Sequence, residues 1–269
     1  EFRRVLFRSR AESVILLPQM LQALVAAVKI HDARIESLKF VAVGGARTPD
    51  GLIAQAWQKG FPVFEGYGLS ECSSVVALNL PGAGRAQSVG KPLAHRQVRI
   101  AADGEIEIGG LPPTRYLGQP SQDQAWLPTG DIGYLDTNGF LFISGRKKDV
   151  LITAFGRNVS PEWPESVLLG QRVFAQAFVF GDAQPTLSAL LVPAAVSVTP
   201  EMMFAAVAAA NAVLPDYARI ATWHIVPPFT PASGLLTANG RMRRAAILRH
   251  YAALTDPSSK KTGDSFAIL

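Results

Sequence analysis

The 269-residue sequence contains a single cysteine, Cys72. One thiol cannot close an internal disulfide, and a reducing compartment is the default expectation. Long apolar runs are missing as well. The two longest candidates are "SVILLPQMLQALVAAVKI", interrupted by Pro18 and two glutamines, and "MMFAAVAAANAVL", which is too short to cross a bilayer. No secretory signal is visible, so the expectation is a soluble, cytoplasmic protein. Charge is sparse at 17% and only slightly basic, +5 at pH 7. Residues 1–10, "EFRRVLFRSR", hold four arginines and one glutamate, and taking their +3 from +5 leaves +2 for the rest. That is too little for a nucleic-acid-binding face. With 48% hydrophobic residues, the chain is also unlike a disordered one.

The head, residues 1–10, has no alternation, no helix cap and no start methionine, and is expected to be non-native or truncated. Residues 13 to 30 read as a helical hairpin or helix–turn–helix. "LKFVAVGGA" reads as a buried strand ending in Gly44–Gly45, where backbone can approach a ligand without a Cβ between them. Thr48 and Pro49 suggest an N-cap and first-turn proline for a helix ending at Gly60. "FPVFEGYG" follows as a short strand leading into a glycine-bracketed turn. This strand–helix–strand succession predicts a parallel α/β unit. After about residue 85 two hairpins are expected, around Asp103–Gly104 and Asn138–Gly139, in a small antiparallel sheet or distorted barrel. From about Arg146 the pattern becomes α+β: strands at "FAQAFVFG", "LSALLVP" and "TWHIV", a helix capped by Thr199–Pro200, and a last helix from about Gly240 to Ala253. The polar tail, 256–269, reads as flexible.

Three segments hold residue types suited to chemistry. "EGYGLSE" offers a ring, a hydroxyl and a carboxylate within seven residues. Tyr67 could stack on a base, Ser70 donate to phosphate and Glu71 hold Mg²⁺; a plain surface turn is the alternative. Asp131 follows a Thr–Gly pair, and a carboxylate can accept from both hydroxyls of a ribose diol. An Asx-type turn into the hairpin is equally consistent. "SGRKKDVLI" adds Arg146 and a charged break at Lys147, Lys148 and Asp149, readable as a solvated linker or as a hinge.

In order, "GGA", "GYGLSE", "PTGD", "GRKKD" and "NVSPE" resemble the motif series of the acyl-adenylating superfamily, which includes the acyl-CoA synthetases. The resemblance covers about residues 13 to 255. It implies the C-terminal part of a large AMP-binding domain over 11–145 and a small mobile α+β domain over 146–255. Gly44, Gly45 and Ala46 would then line the adenine and acyl pocket. Gly66, Tyr67 and Gly68 would meet the nucleotide, with Tyr67 stacked on adenine. Ser70 would contact phosphate and Glu71 Mg²⁺, while Asp131 and Arg146 would hold the ribose. Lys148 falls at the hinge position, and Gly156 would make room for a pantetheine arm. "SGLLTANGRMRR" is similar to the closing motif of long-chain acyl-CoA synthetases, with Arg241 where that motif has a catalytic lysine.

The implied activity is AMP-forming ligation of a carboxylic acid, fatty or similarly apolar, to CoA, using ATP and Mg²⁺. Phe155 stands where the family often has a second glycine. Nothing resembles the family's Ser/Thr/Gly-rich phosphate loop with its lysine, so the β- and γ-phosphates lose their main cradle and the fragment alone is expected to be inactive. Two other readings stand beside this one. The first is a ligase that loads a carrier protein; the second is a degenerate, non-catalytic nucleotide-binding homologue.

Overall fold

A computed structural model describes residues 9–28, 35–49, 51–110 and 125–255. Residues 1–8 of the expected head and all of the 256–269 tail lie outside the described residues. The chain divides into two compact units, residues 1–148 and 149–269.

In the first unit, strands β1 (Ser13–Leu16), β2 (Phe40–Val43), β3 (Val63–Leu69), β4 (Ser74–Leu78) and β5 (Lys91–Pro92) form one sheet in sequence order. β1, β2 and β3 run parallel, and β4 and β5 are added antiparallel. The helices α1 (Pro18–Ala27) and α2 (Leu52–Gln58) contribute Leu21, Leu24, Val25, Leu52 and Ala56 to a core with Val41, Val43 and Val63. The parallel α/β unit expected from the sequence is therefore present, with changed boundaries. Residues 13–16 are a strand and not the first arm of a helical hairpin. Pro18 is in the first turn of α1, where its fixed φ suits a helix start and its missing N–H costs nothing. Thr48 is not an N-cap either. Leu52 N–H bonds to Pro49 O, the cap residue is Gly51 at φ 77°, and only then does α2 begin. A left-handed turn of this kind favours glycine. Lys59 closes the other end of α1, its ammonium donating to the carbonyls of Val25 at 2.5 Å and Val28 at 2.7 Å.

Both predicted hairpins occur in one four-stranded antiparallel sheet, β6 (Gln97–Ile100), β7 (Glu105–Gly109), β8 (Trp126–Leu135) and β9 (Leu141–Arg146). Ile106, Ile108 and Leu141 from this sheet pack with Cys72, Val76 and Ala77 of the other, so the two sheets of the unit share a core.

The second unit holds a two-stranded ribbon, β10 (Leu151–Ile152) and β11 (Asn158–Val159), and the sheet β12 (Phe174–Phe180), β13 (Leu187–Pro193), β14 (Ile220–Ile225). Alternation along these strands feeds two cores. Ala177, Val179, Ala189 and Leu191 face helices α3 (Glu162–Gly170) and α4 (Pro200–Val213). Phe178, Phe180, Leu190 and Val192 face Phe229, Leu235 and Ile247. A strand buried on both faces must be apolar throughout, which explains "LSALLVP". Thr199 caps α4 as expected, accepting from Met202 N–H. The last helix is shorter than expected and divided, α5 (Arg244–His250) and α6 (Ala252–Thr255). Among the described residues no helix is long and apolar enough to cross a membrane.

Candidate active site

The first unit gathers most of the sequence-predicted residues at one end of its parallel strands. β2 runs into Gly44–Ala46 and β3 into Gly66–Leu69, in neighbouring positions because Val43 pairs with Glu65. The approach is close: a Cβ on Gly44 would lie 2.7 Å from Gly66 O. Gly45 and Ala46 are exposed beside it. This is the edge of an open α/β sheet where ligands collect.

"GYG" is not the turn expected from its glycines. β3 continues through it, pairing Gly66 with Leu78, Tyr67 with Ala77 and Gly68 with Val75 across a bulge. The glycines are there because β4 leaves no room, a Cβ on Gly68 falling 1.8 Å from Ser74 O. Only after Leu69 does the chain turn, through a 3-10 segment Ser70–Cys72. Ser70 is exposed and Glu71 half-buried. The turn ends in two left-handed serines, Ser73 at φ 54° and Ser74 at φ 91°. Such backbone is strained for a side-chain-bearing residue and recurs at functional sites. Arg96 braces it from β6's approach, donating to Cys72 O at 2.6 Å. Burial raises the Cys72 thiol pKa against the opposing pull of Arg96, so Cys72 is a core residue and not a nucleophile.

Asp131 sits within β8, not in an Asx turn. It lies opposite Arg146 of β9 and is only 3% exposed. Arg146 Nε donates to Asp131 Oδ1 at 2.8 Å, and the Tyr67 hydroxyl donates to Oδ2 at 2.5 Å. Thr129 supports the same stretch of β8: its hydroxyl donates to Ile106 O and accepts from Asp131 N–H. Burial, followed by the neighbouring Asp131 charge, raises the Tyr67 pKa well above the phenol range. The proton therefore stays on Tyr67, which acts as a donor. Tyr67, Asp131 and Arg146, separated by up to 79 positions in the chain, form one cluster.

The sequence did not point to Glu105, Thr129 or Arg96. Glu105 Oε1 accepts from Gly130 N–H, beside Asp131, while Oε2 accepts from Lys147. Lys147 also reaches Asp103 at 2.6 Å. In the alternating "GEIEIG", Glu105 and Glu107 share one strand face, and no motif distinguished the one that holds this stretch.

The second unit carries the other candidates. Gly156 lies at the tip of the β10–β11 ribbon, where Gly156 N–H bonds to Thr153 O and Phe155 is 77% exposed. Arg241 lies in a tight turn, with Thr237 N–H bonded to Arg241 O and Arg241 N–H to the Thr237 hydroxyl. Arg244, the first residue of α5, is half-buried. It pairs with buried Glu165 at 2.7 Å, bonds to Val179 O and covers the Phe178 ring at 4.3 Å.

Among the described residues, no three His, Cys, Asp or Glu side chains group as a metal cage. A divalent ion here suits the magnesium habit, one carboxylate plus substrate phosphates, and half-buried Glu71, next to exposed Ser70, is a fitting donor. A ring, a glycine-bordered strand edge and a carboxylate likewise suit a nucleotide.

Residues 2–110 match the AMP-binding enzyme family, and residues 148–258 match the AMP-binding enzyme C-terminal domain. The long-chain-fatty-acid–CoA ligase FadD15 of Mycobacterium bovis is 33% identical over 226 residues, which cover 72% of this chain and 37% of that protein. The 2-succinylbenzoate–CoA ligase of Bacillus subtilis is 37% identical over 163 residues, 54% of this chain and 33% of that protein. The solved structure of the B. subtilis O-succinylbenzoate coenzyme A synthetase (MenE) with ATP and magnesium ion aligns with a TM-score of 0.73 at 26% identity, over 90% of this chain and 52% of that one. The chain thus spans about half or less of the relatives it matches. With both matched segments in the family's order and the fold shared, the chain belongs to the AMP-binding enzyme family.

Proposed function

We propose that this chain carries the C-terminal part of the nucleotide site, and the small C-terminal domain, of an AMP-forming acid–CoA ligase acting on a fatty or similarly apolar acid. The observation that carries this reading is the cluster Tyr67–Asp131–Arg146 beside the Gly44–Ala46 strand end. It offers an aromatic ring, a fixed carboxylate and a cation within one nucleotide's reach. The likeness to both fatty-acid and 2-succinylbenzoate ligases supports acid–CoA ligation, and FadD15 favours the fatty acid.

In this reading Gly44, Gly45 and Ala46 border adenine and acyl group, Gly66 and Gly68 flank Tyr67 beside the nucleotide, and Tyr67 stacks on the base. Asp131 and Arg146 hold the ribose. Ser70 donates to phosphate, and Glu71 holds Mg²⁺, which supplies charge neutralisation to the phosphates. The acid's carboxylate attacks the α-phosphorus and pyrophosphate leaves. Two anions must meet, so cations and in-line positioning carry most of the catalysis. Arg241 is the cation on the small domain. Its planar fork can hold two oxygens where lysine offers a point charge. With Lys148 as the hinge, the small domain beyond it then turns and brings the Gly156 loop to the thiol of CoA. The acyl-adenylate must be kept from water during this exchange.

The test is carboxylate-dependent pyrophosphate release by the full-length polypeptide. Arg241→Ala should lower the rate about 10²–10³-fold, as for loss of a well-placed charge donor, and Arg241→Lys should retain or raise it. An Arg241→Ala protein as fast as the unmodified one removes Arg241 from the chemistry. Transfer to a carrier-protein thiol, with none to CoA, changes the acceptor.

A further inference from the structure

The ring of Tyr67 has a role in the reading above, but its hydroxyl does not. That hydroxyl joins two sheets: Tyr67 is in β3 and Asp131, 64 positions later, is in β8. The Asp131 side chain is 4% exposed and Arg146 is 35% exposed, so the carboxylate meets its partners from within the protein. Rotation of an Asp carboxylate about χ2 is soft. A single donor on one oxygen leaves the plane free to turn, whereas donors on both oxygens define it. Arg146 Nε on Oδ1 and the Tyr67 hydroxyl on Oδ2 are such a pair. A carboxylate accepts about four hydrogen bonds, so donors from the protein can hold its plane while it also accepts from a diol.

We infer that the Tyr67 hydroxyl is a positioning group. By fixing the plane of Asp131 against Arg146, it gives the site its selectivity for ribonucleotides over 2′-deoxyribonucleotides. This rests on Asp131 being the ribose acceptor. Selectivity of this kind requires that the acceptor be unable to turn toward another partner when the 2′-hydroxyl is missing, because a buried acceptor left unsatisfied is what rejects the analogue. Thr129 adds to the same constraint from the backbone side, accepting from Asp131 N–H at 3.1 Å. The raised pKa of Tyr67 keeps the donor protonated through the working pH range.

The test compares the affinities of the full-length protein for AMP, 2′-deoxy-AMP and 2′,3′-dideoxy-AMP by calorimetry. The unmodified protein should prefer AMP to 2′-deoxy-AMP roughly tenfold or more, the scale of one hydrogen bond to a charged group. Tyr67→Phe keeps the ring for stacking. With the dideoxy compound as the reference for stacking, the variant's preference for AMP over 2′-deoxy-AMP should fall to about threefold or less, the range expected when that bond is lost. A hydroxyl that merely ties two sheets together would lower the denaturation midpoint and leave the preference unchanged, and that result overturns the inference alone. An unmodified protein that does not bind AMP overturns the nucleotide reading and the inference together. A second measurement does not require Tyr67→Phe to fold. In an alkaline absorbance titration of the five tyrosines, Asp131→Asn should bring one phenol back toward the ordinary range, and an unchanged titration counts against the bond.

Discussion

Replacing Arg244 with methionine separates the charge of this residue from its packing. Glu165 is buried, and its Oε1 accepts from Val179 N–H at 2.8 Å and from Arg244 at 2.7 Å. Burial raises the Glu165 pKa, and Arg244 is the main influence holding it down. Methionine can still cover Phe178, since sulfur packs well on aromatic rings. What is lost is the cation, leaving a buried carboxylate with one backbone donor. Removing one partner of a buried pair costs about 3–5 kcal/mol, whereas replacing both by apolar groups is often neutral. Arg244→Met should therefore be far less stable than Glu165→Met/Arg244→Met. The pH dependence follows from the direction of the shift. A folded-state pKa above the unfolded value means that stability is fully present below the unfolded pKa and is lost as pH rises through the folded one. Urea denaturation followed by tryptophan fluorescence should show Arg244→Met losing stability from about pH 4.5 toward neutrality, more steeply than the unmodified protein. A loss below about 1 kcal/mol, with no added pH slope, would refute the claim that this pair is buried and coupled. The functional consequence is local. Arg244 anchors the C-terminal side of the turn that carries Arg241, so a loosened pair should lower pyrophosphate release with Arg241 itself intact.

Two further outcomes can be checked directly. Gly68→Ala places a methyl group 1.8 Å from Ser74 O, so β3 and β4 must part. A destabilisation of about 1–3 kcal/mol is expected from such overpacking, read from the denaturation midpoint, and an unchanged midpoint would mean the strands separate freely. Lys147→Met tests the clamp on the Asp103–Gly104 hairpin. The Lys147 hydrogen bond holds the Asp103 carboxyl below the usual range, so stability linked to it is present above the unfolded pKa and lost as pH falls through the folded one. Carboxyl NMR titration should find Asp103 moved up toward the usual range in the variant, and an unmoved Asp103 would show that the clamp is not formed.

Elements whose boundaries carry their own chemistry were legible in the sequence. Thr199–Pro200 marks a helix start, Asp103–Gly104 and Asn138–Gly139 mark hairpins, and "LSALLVP" marks a doubly buried strand. Where one residue type serves two physical needs, the reading failed. Gly66 and Gly68 look like turn residues, yet they sit in a strand, where a Cβ would meet the Leu78 side chain at Gly66 and the Ser74 backbone at Gly68. "SVILL" continues the apolar pattern of the helix after it, and only Pro18 separates strand from helix. The site was legible as residue types: Tyr67, Asp131 and Arg146 were all singled out. That Asp131 is held by both of the others was not, because the bond between Tyr67 and Asp131 spans two sheets and leaves no local pattern. The pair of Arg244 with Glu165 leaves no local pattern either, since the two lie 79 positions apart.

The run "GRKKD" shows what such pairing does to a stretch of like charge. Read alone, it is a solvated linker or a hinge. In the fold, Arg146 is bound to Asp131, and Lys147 to Asp103 and Glu105. Exposed Lys148 is the last residue of the first unit. The run therefore passes from a charge inside the site, through a charge on a hairpin, to the point where the units divide. Isolated surface ion pairs contribute little to stability, but here position matters more than strength. Glu105 holds Lys147 with one oxygen and the Gly130 amide, next to Asp131, with the other. A backbone shift at Lys147 is thus opposed by the same carboxylate that supports the stretch carrying Asp131. A pivot needs one fixed side. If Lys148 is the hinge, as proposed, that fixed side would be built from the groups around Asp131.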